Sequence, residues 1–199
     1  MGKAKVLEKL GQFEEAIGLL RQAGSQVDPE REPRKLLIVR ELLVLNLCHL
    51  GRHGQARLLL GEVRALARKL GNRLDLVKVD WLQGIIAAGL GWHEEAIPIL
   101  ERVRATLVQD ELAYEAALVT LELAEIHASL GHIAEVKKLA RKSAPIFQAQ
   151  EVHHEAQAAL ELFRQAAEQE AVTAESIRRV VVYLYRAQDD PQPHFEEAA

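Results

Sequence analysis

Cys48 is the sole cysteine in 199 residues, which excludes an internal disulfide and fits a reducing compartment. No apolar run reaches the roughly 20 residues needed to cross a bilayer. The opening MGKAKVLEKL lacks the apolar core of a secretory signal, and Val6 stands where a myristoylation signal carries Ser or Thr. A cytoplasmic location with no membrane partner is the expectation. A basic surplus is missing too: net charge is −4 and the pI about 6.1, with Lys and Arg spread among acids, so no direct contact with nucleic acid is expected.

Catalytic patterns are equally scarce. There is no GxSxG and no P-loop. Neither His93-Glu94-Glu95 nor His154-Glu155 is followed by the second histidine of an HExxH zinc helix, and His49 and His53 straddle the glycine at 51. Cys48 adjoins His49, but neighbouring helix residues point about 100° apart, so a packed thiol is favoured over a nucleophile with its base. The expectation is a protein that is not an enzyme and holds no cofactor and no metal.

What the sequence does carry is a copied unit. LGQFEEA at Leu10, LGRHGQA at Leu50, LGWHEEA at Leu90 and LGHIAEV at Leu130 recur at a step of 40 residues. In each, an apolar run ends at Leu-Gly, where glycine can take the left-handed conformation that closes a helix, and a new helix starts two residues on. The unit is a helical hairpin. Ala16, Ala56 and Ala96 fall where its two helices approach closely, with Leu20, Leu60 and Leu100 packing between them; the fourth copy exchanges small and large as Val136 and Ala140.

Five hairpins are expected, at about 3–23, 33–70, 72–109, 110–150 and 152–187, forming one domain over 1–188 with a loose tail at 189–199. The short first helix suggests a chain that begins partway into a repeat. Asp28 and Asp110 read as helix N-caps, Pro29 as a first-turn residue, Ala171 as the fifth residue of the glycine column and Thr173 as the cap of the last helix. In that last helix Ile177, Val180, Val181 and Leu184 form the inner face, and Arg178, Arg179 and Arg186 face water.

The motifs GQFEEA, GRHGQA and GWHEEA resemble the second half of the tetratricopeptide (TPR) repeat, in which glycine is followed by an aromatic two residues on and alanine three after that. Phe13, His53, His93 and Ile133 fill the aromatic column, and Ala4, Gly84 and Ala124 a small-residue column of the first helix, from which Val44 departs. The usual TPR step is about 34 residues, so these helices are longer; HEAT and armadillo repeats have a nearer period but lack the Gly-aromatic-Ala signature. The resemblance covers about residues 3–187. It implies an all-α, right-handed α-solenoid of about five antiparallel hairpins that acts as a protein–protein interaction scaffold. Lengthened repeats of this kind look like those in sensory or dimerising arms of bacterial signalling and transcription regulators, which would allow a homodimer.

By the same resemblance the first helices line an inner, concave groove for a protein or peptide partner. Its residues would be Glu41, Leu42, Leu45, Cys48 and His49, then Lys78, Trp81, Leu82 and Ile85, then Leu118, Leu121, Glu122, Glu125 and Ser129, and last Glu161 and Gln165. Trp81 is expected to be partly accessible as an anchor, with Ile85 and Leu121 beside it and Glu122 and Glu125 selecting a basic element. Longer helices could instead bury Leu42, Leu45 and Leu82 against one another. The positions at which some TPR adaptors hold a C-terminal carboxylate carry Leu42, Leu82, Leu118 and Glu122, which does not suit that ligand. The basic clusters Arg64, Arg68, Lys69 and Lys137, Lys138, Arg141, Lys142 read as solvated outer surface.

Overall fold

The computed structural model describes residues 2–148, 161, 163–168 and 172–187, with side chains except those of Lys9, 143–148, Arg186 and Ala187. All regular structure among them is helical. The helices are α1 (Gly2–Lys9), α2 (Phe13–Gln26), α3 (Pro33–His49), α4 (His53–Leu70), α5 (Arg73–Gly89), α6 (His93–Gln109), α7 (Ala113–Ser129) and α8 (Ile133–Gln148), then a helical stretch at 163–168 and a C-terminal helix, Ala174–Ala187. The chain divides into two compact units, Met1–Ile99 and Leu100–Ala199, each described by itself.

The Leu-Gly repeat is a turn with a definite hydrogen-bond pattern. Gly11, Gly51, Gly91 and Gly131 have φ between 70° and 79°. At each, the glycine N–H donates to the carbonyl three residues back and the next residue's N–H to the carbonyl five back, as in Gly51 to Cys48 (2.9 Å) and Arg52 to Leu47 (2.8 Å). This double closure satisfies carbonyls that a helix end otherwise leaves bare.

The register also explains a turn that residue types do not announce. Glu111, one step of 40 beyond Gly71, has φ 59°, against 70° for the glycine, and closes α6 in the same way: Glu111 N–H donates to Val108 and Leu112 N–H to Leu107. Asp110 therefore lies in the turn that closes α6 and does not cap α7, whose N-cap is Leu112. A side chain in the left-handed region costs about 1–2 kcal/mol, against about 0.5–1 kcal/mol of extra chain entropy lost by a glycine. Glu111→Gly is expected to raise stability by about 0.5–1 kcal/mol in urea unfolding.

Asp28 is likewise not a helix cap. Its Oδ1 accepts from Glu30 N–H (2.9 Å) and Arg31 N–H (3.3 Å), closing a separate turn that contains Pro29, while α3 starts four residues later with Pro33 in its first turn. α2 runs on to Gln26, past the expected end at 23, because Gly24 and Ser25 stay helical, Ser25 Oγ donating to the Gln22 carbonyl (2.9 Å). Thr173 does cap the last helix. It accepts from Ser176 N–H (3.1 Å), and its own N–H donates to Ser176 Oγ (2.9 Å), a reciprocal capping box. The first helix expected in the fifth hairpin lies largely outside the described residues, as do Ala171 and the tail.

In the first unit α3 packs on α2, α4 and α5, and α1 packs on α2. The core joins Ile17, Leu20, Leu37, Val44, Leu47, Cys48, Val63 and Val79, all under 7% exposed. Ala16, Ala56 and Ala96 are completely buried, as are Leu20 and Leu100, and the exchanged pair Val136 and Ala140 is buried at 0% and 1%. The aromatic column has a specific receptor: Phe13 stacks on His49 with ring centroids 4.8 Å apart. One step of 40 on, the buried His53 ring lies against Gly89, at the place a Cβ of residue 89 would occupy.

In the second unit α7 packs on both α8 and the C-terminal helix. Ala116, Leu118, Val119, Leu121, Leu123 and Ala124 are buried around its whole circumference, so α7 is a core helix without a free face.

Candidate functional site

The residues expected to line one groove fall into both units. In the first unit they lie on the faces of α3 and α5, which pack side by side. Arg34 and Glu41 stand two turns apart on α3, with Leu45 one turn further. On α5, Asp75, Lys78, Leu82 and Ile85 follow the three-and-four spacing of a single helical face. Arg34 is paired with Asp75, whose side chain is 3% exposed, tying α3 to α5 at one end.

Beyond that pair the charges are not closed. Glu41 is half-buried and its Oε1, fully shielded from water, accepts no hydrogen bond. Lys78, exposed, is near enough to act on Glu41 electrostatically, yet makes no ion pair with it among the described residues. The Glu41 carboxyl is pushed up to about 7, chiefly by burial and further by Asp75, against the pull of Lys78 and Arg34. A buried carboxylate oxygen with no donor is uncommon, because an unmet acceptor carries its full desolvation cost. Leu42, Leu45, His49 and Ile85 are partly exposed around it.

Trp81 is not the accessible anchor that was expected. It is 8% exposed, and Leu82 and Cys48 are buried too, so Trp81 offers a ligand little surface. Glu41, which shares its repeat position one step of 40 earlier, is the group the surface presents. Periodicity alone could not distinguish them, since both fall on the same column.

In the second unit the anticipated acidic selectors are already engaged. Tyr185 Oη donates to Glu122 Oε1 (2.6 Å) and Tyr114 Oη to the Leu184 carbonyl (2.5 Å), and Arg178 forms an ion pair with Glu125 (Nε–Oε1 3.1 Å). The C-terminal helix thus covers the α7 face with Ile177, Val181 and Leu184 between these polar contacts, and Arg178 is an ion-pair partner in addition to facing water. Leu121 has no exposed surface. Burial pushes the Glu125 carboxyl up, Arg178 opposing it and Glu175 adding to it. Glu161 is exposed and held down to about 2 by hydrogen bonds from Arg164 and then Gln165.

Several members of the basic clusters have local partners. Arg64 donates to Asp80 and Gln83, Lys69 pairs with Glu30, Lys138 with Glu135, and Arg141 with Glu168.

No family model and no curated protein matches the chain. A solved structure does: that of a Podosopora anserina protein assigned as a kinesin light chain, with nearly identical TPR-like repeats. It is 19% identical, with a TM-score of 0.61, over 96% of this chain and 95% of that one. The likeness establishes the fold class. This is an all-α, TPR-like helical repeat.

Proposed function

We propose that the chain is a noncatalytic interaction scaffold whose α3–α5 face binds a peptide or amphipathic helix carrying a basic group. The observation that supports this reading is the shielded, unpaired Oε1 of Glu41 beside the exposed ammonium of Lys78 and the half-buried Leu45 and Ile85. An incoming cationic donor would complete Glu41, and the apolar side of the ligand would cover the leucine and isoleucine; His49 lies at the end of this face, and the buried Trp81 stays out of the contact. Glu122, Glu125 and Leu121 serve the fold of the second unit, and Glu161 its surface.

The test is calorimetry with a Leu/Lys amphipathic helical peptide. Ile85→Ala and Glu41→Gln are each expected to weaken binding by about five- to tenfold, the loss typical of an interface hot spot, and Lys78→Glu to strengthen it. Binding that none of the three variants alters would defeat the reading. A second reading, a dimerising arm of a larger regulator, draws on the exposed Val6, Leu10 and Leu58, the last 80% exposed; a sedimentation profile that stays monomeric at all concentrations rules it out.

A further inference from the structure

A second site lies in the first unit, apart from the α3–α5 face. A cleft of about 260 Å³ opens between α4, α5 and the first turn of α6, with Leu60, Ile86 and Ala87 as its apolar floor and Arg57 and Trp92 at its mouth. We propose that this cleft binds an acidic peptide segment, a carboxylate docking on Arg57 and a neighbouring apolar side chain on Trp92.

The charges around the cleft decide the class of ligand. Its back wall is closed: Arg64 Nη1 donates to Asp80 Oδ1 (2.8 Å) and Nη2 to Gln83 Oε1 (2.6 Å), and Gln83 Nε2 donates to Glu95 Oε1 (3.1 Å). Arg57 is outside this chain. Arg34, Arg40, Arg52 and Arg64 of the same unit each have a carboxylate partner. Arg57 has none among the described residues; its guanidinium lies over the Trp92 ring, Cζ 4.9 Å from the centroid.

That stacking positions the cation without consuming its hydrogen bonds. A guanidinium on an aromatic ring keeps its N–H edge outward, suited to a planar carboxylate. Trp92 is 44% exposed, an unusual surface for the largest side chain, and its indole N–H has no acceptor among the described residues. Arginine and tryptophan are the residue types that dominate interface energetics when a partner covers them. Glu95, also lining the cleft, disfavours a second carboxylate beside it and can accept main-chain N–H groups of an extended ligand. The cleft falls below the roughly 300–1,000 Å³ of small-molecule pockets, so it takes one or two side chains of a longer segment.

The test uses the full chain, immobilised and panned with a displayed random peptide library, with Arg57→Gln and Trp92→Ala as parallel targets. Both positions are exposed, so these variants should fold, which circular dichroism verifies. The expected result is enrichment of Asp or Glu beside an apolar residue on the wild type. An enriched peptide should then bind each variant at least about tenfold more weakly, bind Lys78→Glu as it binds wild type, weaken with added salt, and protect Trp92 from acrylamide quenching while the buried Trp81 is unaffected. No enrichment, enrichment of basic peptides, or affinity unchanged in both variants would overturn the proposal. Because Lys78→Glu probes the other face, failure here leaves the α3–α5 reading standing, and the converse.

Discussion

Glu41→Gln should stabilise the protein at pH 8 by about 1–3 kcal/mol and change it by less than about 0.5 kcal/mol at pH 4. The carboxyl rises from 4.5 to about 7 on folding, chiefly through burial. Between these values the native state holds a proton that the unfolded chain has released, so stability falls as pH rises through this window. The favourable contribution is complete below the unfolded pKa and lost above the folded one. At about 1.4 kcal/mol per pH unit the full effect would be about 3.5 kcal/mol, and partial hydration of the site reduces it. Glutamine has the same shape but no charge to desolvate. Urea unfolding at the two pH values checks this: the wild-type decline with pH should flatten in the variant, and a variant less stable than wild type at pH 8 would contradict the assignment. A group kept at the cost of stability is what a recognition face is expected to contain.

Gly89→Ala should destabilise the protein by about 1–3 kcal/mol, although alanine in place of glycine in a helix ordinarily stabilises by about 1 kcal/mol. The sign reverses because the new Cβ would fall within the His53 ring, and His53 is only 8% exposed, with little freedom to swing aside. The preceding copy makes the same contact with two rings, Phe13 on His49; here the residue in the place of His49 has no side chain, so the ring descends onto backbone. Adding His53→Ala removes the clash. The double variant should therefore lose less than the two single losses combined, by about 0.5–3 kcal/mol in a urea-based mutant cycle. Simple additivity would show that ring and glycine do not meet.

The parts of the molecule that could be read in advance are those written in local chemistry. Glycine at φ near 70° is close to obligatory in the hairpin turn, so the step of 40 located four helix ends, and buried alanines at a fixed offset located the close approach. Glu111 shows the boundary of that logic. Its residue type gives no turn signal, but its distance from Gly71 does, and the register was the better guide. Asp28 has cap chemistry and spends it on a turn, because Pro33 five residues on provides the helix start. Non-local contacts left no local mark. Glu122 and Glu125 lie 53 to 63 residues from Arg178 and Tyr185, which occupy them. Trp81 and Glu41 share one column, yet one is buried and the other half-open, which position in the repeat does not determine.

The most direct test of the recognition face is the carbon-13 carboxyl titration of Glu41, first alone and then with the Leu/Lys peptide bound. The account predicts a midpoint near 7 in the free protein, and a fall toward the ordinary carboxylate range once a cationic donor meets Oε1. A midpoint already ordinary in the free protein, or one that stays near 7 with the peptide bound, would contradict it.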